Sequence, residues 1–344
     1  PSARRLADSS MWAASVPAFP ADSGGSPAAA SSQDRNPAAH NRRSVLAPIP
    51  GMWQNVFRSM TWSRRPFAPG GGGQRFTVNR SDLEVELPSW WREAILYTVF
   101  IDRFRQGGRD GGWEQRDLGH RGRGRAGGDL EGVIEALPYL EELGATALHL
   151  TPMVLSPTAH RYSSVDPRIV DPELGGEAAL ERLLEACHAR GLRVIFDFAV
   201  TLVHRDFFAF RDVMRKGLAS PYWSWFYIDR FPLSEGLDPG YRFYKKQWTE
   251  PLLRTETPEV ADYLCGTFEH WTRYGVDGFR IDAAADVPLD LLGRIRARVK
   301  RLNPEAIVYG EVIPEHIHRF LDAGLDAATD FLVQKTALDW LVRG

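Results

Sequence analysis

From about residue 95 onward, short apolar runs and amphipathic runs follow one another in strict turn, and this alternation is the strongest constraint on the fold. AILYTVFIDRF, starting near Ile95, is β-branched and aromatic and reads as a strand. DLEGVIEALPYLEELG reads as one helix closed by Gly144. ATALHLTP, LRVIFDFAV, GVDGFRIDA, EAIVYGEVI and the weaker AATDF supply five more strands. The helical runs GEAALERLLEACHARG, PEVADYLCGTFEHWTRYG, PLDLLGRIRARVKRL and HIHRFLDAG fall between them, and FLVQKTALDWLV follows. Strand then helix, repeated, produces a parallel sheet with right-handed crossovers. The strands are apolar on both faces, as a barrel or a doubly wound sheet requires. The fold class is therefore α/β, with six βα units.

One connection is far longer than the rest. Residues 201–257 form an excursion after the third strand, rich in aromatics in SPYWSWFYIDRF and YRFYKKQW. Long loops at the carboxyl ends of parallel strands are where ligands bind. Trp223, Trp225, Phe226 and Tyr227 are candidates for stacking on a sugar ring, or for simply packing the excursion against the sheet.

Residues 1–87 are of different composition, rich in Ala, Ser, Pro, Arg and Gly, with GGGG at Gly70 to Gly73. This reads as a mostly disordered, low-complexity region with a short helix at MWQNVFRSM. Residues 88–344 then make up the catalytic part. The net charge of -2 gives no electrostatic case for a nucleic-acid or anionic-membrane partner. The basic run RGRGR, Arg121 to Arg125, reads as a solvated loop. No apolar run is long enough to span a bilayer, and no basic start followed by an apolar core marks a signal peptide. A cytoplasmic placement is expected on that basis. Cys187 and Cys265 each sit in an amphipathic helix and read as small core residues.

Side-chain alternation isolates a candidate site in GVDGFRIDAAAD. Phe279 and Ile281 share one face of the strand, while Gly278, Arg280 and Asp282 share the other. Two opposite charges and a glycine on one face suit either a local ion pair or a site. Other strand ends carry Asp102, Arg103, Asp197 and Glu311. In a parallel barrel these ends converge on one rim. Asp282 and Glu311 would then form the carboxylate pair that glycoside hydrolysis needs. Arg280 beside Asp282 is expected to keep it ionised, and partial burial is expected to raise the pKa of Glu311, which suits a general acid.

GVDGFRIDAAADV resembles the nucleophile segment of the α-amylase family of glycoside hydrolases, and YGEV its general-acid segment. FIDRF, GGDLEGVIEALPYLEELGATALHLTPMVLSPTAHRY and LRVIFDFAV resemble its earlier segments in the same order. The likeness runs from about Pro88 to Leu341 and is nearest the neopullulanase, cyclomaltodextrinase and maltogenic amylase branch. It implies a TIM (β/α)8-type barrel, here incomplete at about six βα units, since the sequence stops before a seventh strand. It implies Asp282 as nucleophile, Glu311 as acid/base, Arg280 and Asp197 as supports, and Tyr162 and His160 of AHRY as substrate contacts. The implied partner is an α-glucan or maltooligosaccharide, with no cofactor required and oligomeric state left open.

Three departures from the family pattern bear on activity. Thr201 and Leu202 stand where the family has Asn and His, which weakens a structural calcium and a sugar contact. His204 lies close by, as a replacement or as an ordinary loop residue. Ser163 follows Tyr162 where the family has Asp. The family's third catalytic carboxylate, on the seventh strand, has no counterpart in this sequence. Three readings follow: a retaining α-glucan hydrolase or transglycosylase, a truncated or degenerate, catalytically silent member that binds α-glucan at most, or a barrel of this family acting on another α-glucoside such as sucrose or isomaltose.

Overall fold

The computed structural model describes residues 87–108, 124–312 and 317–343. The low-complexity reading of the first 86 residues, the MWQNVFRSM helix and Arg121 to Arg123 of the basic run lie outside these residues.

A short helix, α1 (Ser89–Arg92), precedes β1 (Leu96–Val99). The first strand is shorter than its sequence suggests, because IDRF turns into the single-turn α2 (Ile101–Phe104). The long helix expected next is split into α3 (Leu130–Glu135) and α4 (Leu137–Glu142). Pro138 is responsible. It has no N–H to donate, and its ring crowds the preceding turn. Asp129 caps α3 by accepting the Gly132 N–H at 2.8 Å.

β2 (Ala147–Leu150) follows, then an antiparallel pair, β3 (Val154–Leu155) with β4 (Asp166–Val170), that the alternation pattern does not reveal. α5 (Gly176–His188) buries Leu180, Leu183, Leu184 and Cys187, an i, i+3, i+4, i+7 stripe. β5 (Arg193–Ala199) leads into the excursion, which holds α6 (Phe208–Lys216). α7 (Pro258–Tyr274) opens on Pro258 and closes on Gly275, whose φ of 107° is left-handed, as a helix C-cap favours. β6 (Gly278–Asp282), α8 (Leu289–Leu302), β7 (Ile307–Gly310), α9 (Ile317–Asp322), β8 (Ala327–Ala328) and α10 (Phe331–Arg343) complete the described chain.

The six main strands form one parallel sheet in the order β1-β2-β5-β6-β7-β8, so every strand beside its predecessor is reached by a crossover. The sheet curls into a half-barrel, and its period-two alternation builds two different faces. Val99, Leu148, Leu150, Val194, Phe196, Phe198, Phe279, Ile281 and Val308 face the helices in the main core. Trp271 of α7 is fully buried there and donates its Nε1–H to the Pro167 carbonyl at 2.9 Å. The other face lines the inside. Low in the curl, Ile195, Ile307 and Tyr309 pack against Trp90 and Trp91 of α1, with Trp91 and Tyr309 ring centres 5.4 Å apart. Above them the same alternation carries Asp197, Arg280 and Asp282.

Candidate active site

The site begins with Asp197 on β5. Its carboxylate accepts two hydrogen bonds from Arg280 Nη1, at 2.8 and 2.7 Å, across the paired strand. Its Oδ2 also accepts from the Tyr162 hydroxyl at 2.9 Å and faces His149 Nε2 at 3.1 Å. The Arg280 guanidinium then reaches outward. Nη1 donates to Asp282 Oδ1 at 3.0 Å, and Nη2 lies 2.8 Å from Glu311 Oε2. One buried guanidinium therefore joins three carboxylates. Removing the guanidinium would leave three neighbouring carboxylates without their shared counter-charge, which costs several kcal/mol. Burial works against its charge, but Asp197 above all, then Tyr162, Asp282 and Glu311, outweigh it and raise its pKa.

The backbone after Asp282 is shaped to the same end. Ala283 has φ 46° and ψ 42°, a left-handed conformation rare for a residue with a Cβ. There its N–H donates to Glu311 Oε2 at 3.2 Å. The Glu311 N–H donates to the Ile281 carbonyl at 2.9 Å, extending the β6–β7 ladder by one bond and aligning the two carboxylates on one rim.

Electrostatics correct one expectation. Asp282 is not held low by Arg280; its carboxyl is pushed up to about 7. Burial is the largest cause, Asp197 adds to it, Arg280 opposes it, and Glu311 raises it further through its charge and a shared hydrogen bond. Counting charges gives the reason. Three carboxylates share one guanidinium, so full ionisation would gather more negative charge than it can offset, and this holds the Asp282 carboxyl up. The Tyr162 hydroxyl is likewise pushed up, by burial first and then by Asp197 and Asp282, so it stays a donor.

The structure brings Asp197, Arg280, Asp282, Glu311 and Tyr162 into one network. His160 is seated beside Tyr162, the rings stacked with centres 5.8 Å apart and His160 Nδ1 accepting the Tyr162 N–H at 3.2 Å. Arg161 between them is fully buried, has φ 58°, and donates Nε–H to Asp171 at 2.9 Å. That arrangement puts its neighbours on the opposite side of the loop. Asp102 and Arg103 do not join the site. Asp102 pairs with Arg103 and accepts the Ala126 and Gly127 N–H groups, tying down a loop. Arg125 of the basic run is not simply solvated, since it donates to the Ser156 carbonyl at 3.0 Å and pairs with Glu173.

The aromatic excursion packs on itself. Trp225 and Phe226 are buried, Phe226 meeting Phe210 at 4.9 Å and Trp225 meeting Tyr222 at 5.0 Å and Tyr263 of α7 at 5.5 Å. Trp223 packs edge-on to Phe231, so the packing reading holds for these three, while Tyr227 is half-buried and donates to Glu256. Leu202 is buried and its backbone bridges Leu252. His204 is held locally, its Nδ1 accepting the Asp206 N–H at 3.2 Å, and burial lowers its pKa. The Thr201 carbonyl already accepts from Leu253, and no group of three His, Cys, Asp or Glu among the described residues is arranged to hold a metal. Cys187 and Cys265 are buried and unbridged, with the Cys187 thiol pushed up to about 12 by burial. Among the described residues no helix is long and apolar enough to cross a membrane.

His149 and Tyr309 line the same interior and were not among the sequence candidates. A signal for His149 was present: in ATALHLTP it alternates with Leu148 and Leu150, the rule that singled out Arg280.

A parallel half-barrel with paired carboxylates and an arginine at its carboxyl rim defines a glycosidase-type catalytic domain. The alpha amylase catalytic-domain family matches residues 98–306, a span that includes Asp197, Arg280 and Asp282 and ends before Glu311. Neopullulanase 2 of Thermoactinomyces vulgaris is 37% identical over 273 residues, covering 78% of this chain and 46% of that protein. A cyclomaltodextrinase of Thermoanaerobacter pseudethanolicus is 36% identical over 230 residues, covering 65% of this chain and 40% of that protein. A cyclic α-maltosyl-(1→6)-maltose hydrolase of Arthrobacter globiformis, solved with that sugar, superposes with a TM-score of 0.68 at 26% identity over 75% of this chain and 59% of its own. The chain belongs to the α-amylase family. It spans less than half the length of the first two relatives.

Proposed function

We propose that this chain carries the nucleophile and the acid/base of a retaining α-glucan hydrolase. The observation that carries this reading is the single guanidinium of Arg280 held on both Asp282, at 3.0 Å, and Glu311, at 2.8 Å, with the Asp282 carboxyl pushed up by burial and by the neighbouring carboxylates. Retaining hydrolysis uses one carboxylate as nucleophile and one protonated carboxyl as acid. The free site keeps its proton on Asp282. When an α-glucoside fills the rim and excludes water, the proton crosses the Asp282–Glu311 hydrogen bond. Glu311 then delivers it to the glycosidic oxygen as that bond breaks. Asp282, ionised and oriented by Arg280, attacks the anomeric carbon and forms a glycosyl ester. Glu311 next takes a proton from water, which attacks the ester and frees Asp282 with the anomeric configuration retained. Tyr162, held on Asp197 with His160 behind it, offers a ring face to the sugar. The reaction needs no cofactor. The substrate class is starch-type α-glucan or maltooligosaccharide, in keeping with the named relatives.

The test is release of nitrophenol from p-nitrophenyl maltoside by the full chain. We expect Asp282→Ala and Glu311→Gln each to lower kcat by ~10³-fold or more. Wild-type rates in both variants would overturn the mechanism. A second reading, a glucan-binding member without turnover, is favoured by Leu202, buried where the family presents a sugar-contacting His. Maltooligosaccharide binding by wild type without nitrophenol release would establish it instead.

A further inference from the structure

His149 is a buried imidazole that the proposed reaction does not use. It projects into the curl from β2, with Nδ1 3.1 Å from Thr98 Oγ1 on β1 and Nε2 3.1 Å from Asp197 Oδ2 on β5. Asp197 continues to Arg280 on β6, and Arg280 continues to Asp282 and to Glu311 at the end of β7. Five strands, adjacent in the sheet order, thus supply successive links of one hydrogen-bonded chain. We propose that His149 is a positioning residue for the Asp282–Glu311 pair, acting through Asp197 and Arg280. The assignment rests on the hydrolase reading above.

Proton placement follows from the partners. Asp197, paired with Arg280, can only accept, so His149 Nε2 carries the hydrogen. Nδ1 is then free to accept the Thr98 hydroxyl hydrogen, and Thr98 selects the tautomer. The imidazole is held from a further side by Tyr309, whose ring stands edge-on with centres 6.3 Å apart. Asp197 Oδ2 takes donors from Arg280, Tyr162 and His149 together, so its carboxylate plane has one orientation that serves all three. Without the His149 donor that plane is set by Arg280 and Tyr162 alone, and it shifts toward them. Arg280 uses Nη1 for Asp282 and Nη2 for Glu311, so a turn of the guanidinium displaces both carboxylates in opposite senses. His149 bonds Thr98 and Asp197 rather than Asp282 or Glu311, so its loss is expected to act on the chemical step rather than on binding.

Two substitutions separate positioning from packing. His149→Gln keeps an N–H near the Nε2 position; His149→Phe keeps the ring volume without the donor. In p-nitrophenyl maltoside hydrolysis we expect His149→Phe to lower kcat by ~100-fold with KM within ~3-fold, and His149→Gln to stay within ~5-fold of wild type. Wild-type rates in His149→Phe, a Gln variant as impaired as the Phe variant, or a change confined to KM would overturn the assignment. ¹⁵N NMR of the histidine-labelled full chain, with the His149 signals identified by their absence in His149→Gln, reports the tautomer directly. A protonated Nε2 is expected, and an unprotonated Nε2 overturns the proposal. If the wild-type chain releases no nitrophenol, the hydrolase reading fails by itself, and the tautomer still decides whether His149 donates to Asp197.

Discussion

Asp282 shows how far a residue's neighbours outweigh its sequence context. Two positions from an arginine, it reads as an ionised carboxylate; inside the curl, burial and two further carboxylates push it up to about 7. This has a consequence for stability. Between the ordinary carboxylate value of 3.8 and about 7, the folded protein holds a proton that the unfolded chain has released. Stability contributed by that proton is therefore present at low pH and lost as pH rises through 7. Asp282→Asn is neutral at every pH and escapes the loss. Its Tm should exceed that of wild type by ~2–5 °C at pH 8, with the difference vanishing near pH 4. Scanning calorimetry of both proteins at the two pH values tests this; a gain independent of pH would contradict it. Alternation along GVDGFRIDAAAD made Arg280 and Asp282 legible together. The strand ends also made Asp197 and Glu311 legible as neighbours on the rim; the upward push they give Asp282 was not, because it depends on burial and on distances between groups 85 residues before and 29 after it in the chain.

At the scale of elements, crowding between neighbouring strands sets the tolerances. Gly278 opens β6 beside Ile307 of β7. A Cβ there would stand 2.4 Å from Ile307 Cγ2 and 2.7 Å from its carbonyl oxygen. The obstacle includes backbone, so the strands themselves must separate. Gly278→Ala should cost ~2–4 kcal/mol in urea unfolding, and a loss below ~0.5 kcal/mol would show that the β6–β7 spacing gives way easily. This glycine faces the interior with Arg280, so spreading the strands would also disturb the guanidinium. The strand and helix order was legible from hydrophobic period alone. The break at Pro138 followed from a single residue that a periodic count passes over. The β3–β4 pair was hidden because Val154–Leu155 is too short to show a period.

For the molecule as a whole, the interior of the curl has two levels with separate work. The rim holds charge, and below it Trp90 and Trp91 pack on Ile195, Ile307 and Tyr309. α1 precedes every strand, yet it fills the end of the curl remote from the carboxylates. Trp90 secures it by donating Nε1–H to the Glu305 carbonyl at 2.9 Å and by lying under the Arg193 guanidinium. Trp91→Ala removes a large apolar side chain from this level and should cost ~3 kcal/mol in urea unfolding. Because Tyr309 would lose its ring partner while Arg280 keeps all of its own, KM for the maltoside should stay within ~2-fold of wild type. A rise in KM larger than the loss of stability explains would mean that the two levels are coupled.

The sequence by itself determined the alternating α/β order, the length of the excursion and the placing of Asp282 and Glu311 at the ends of neighbouring strands. These are written in local period and in short motifs, where neighbouring residues carry the information. Tertiary structure alone decided three things: that Trp225 and Phe226 of the excursion pack inward, that His149 closes a hydrogen-bonded chain across five strands, and that the Asp282 carboxyl is pushed up rather than held low. Each depends on distances between residues far apart in the chain, and on burial, which no single segment sets by itself.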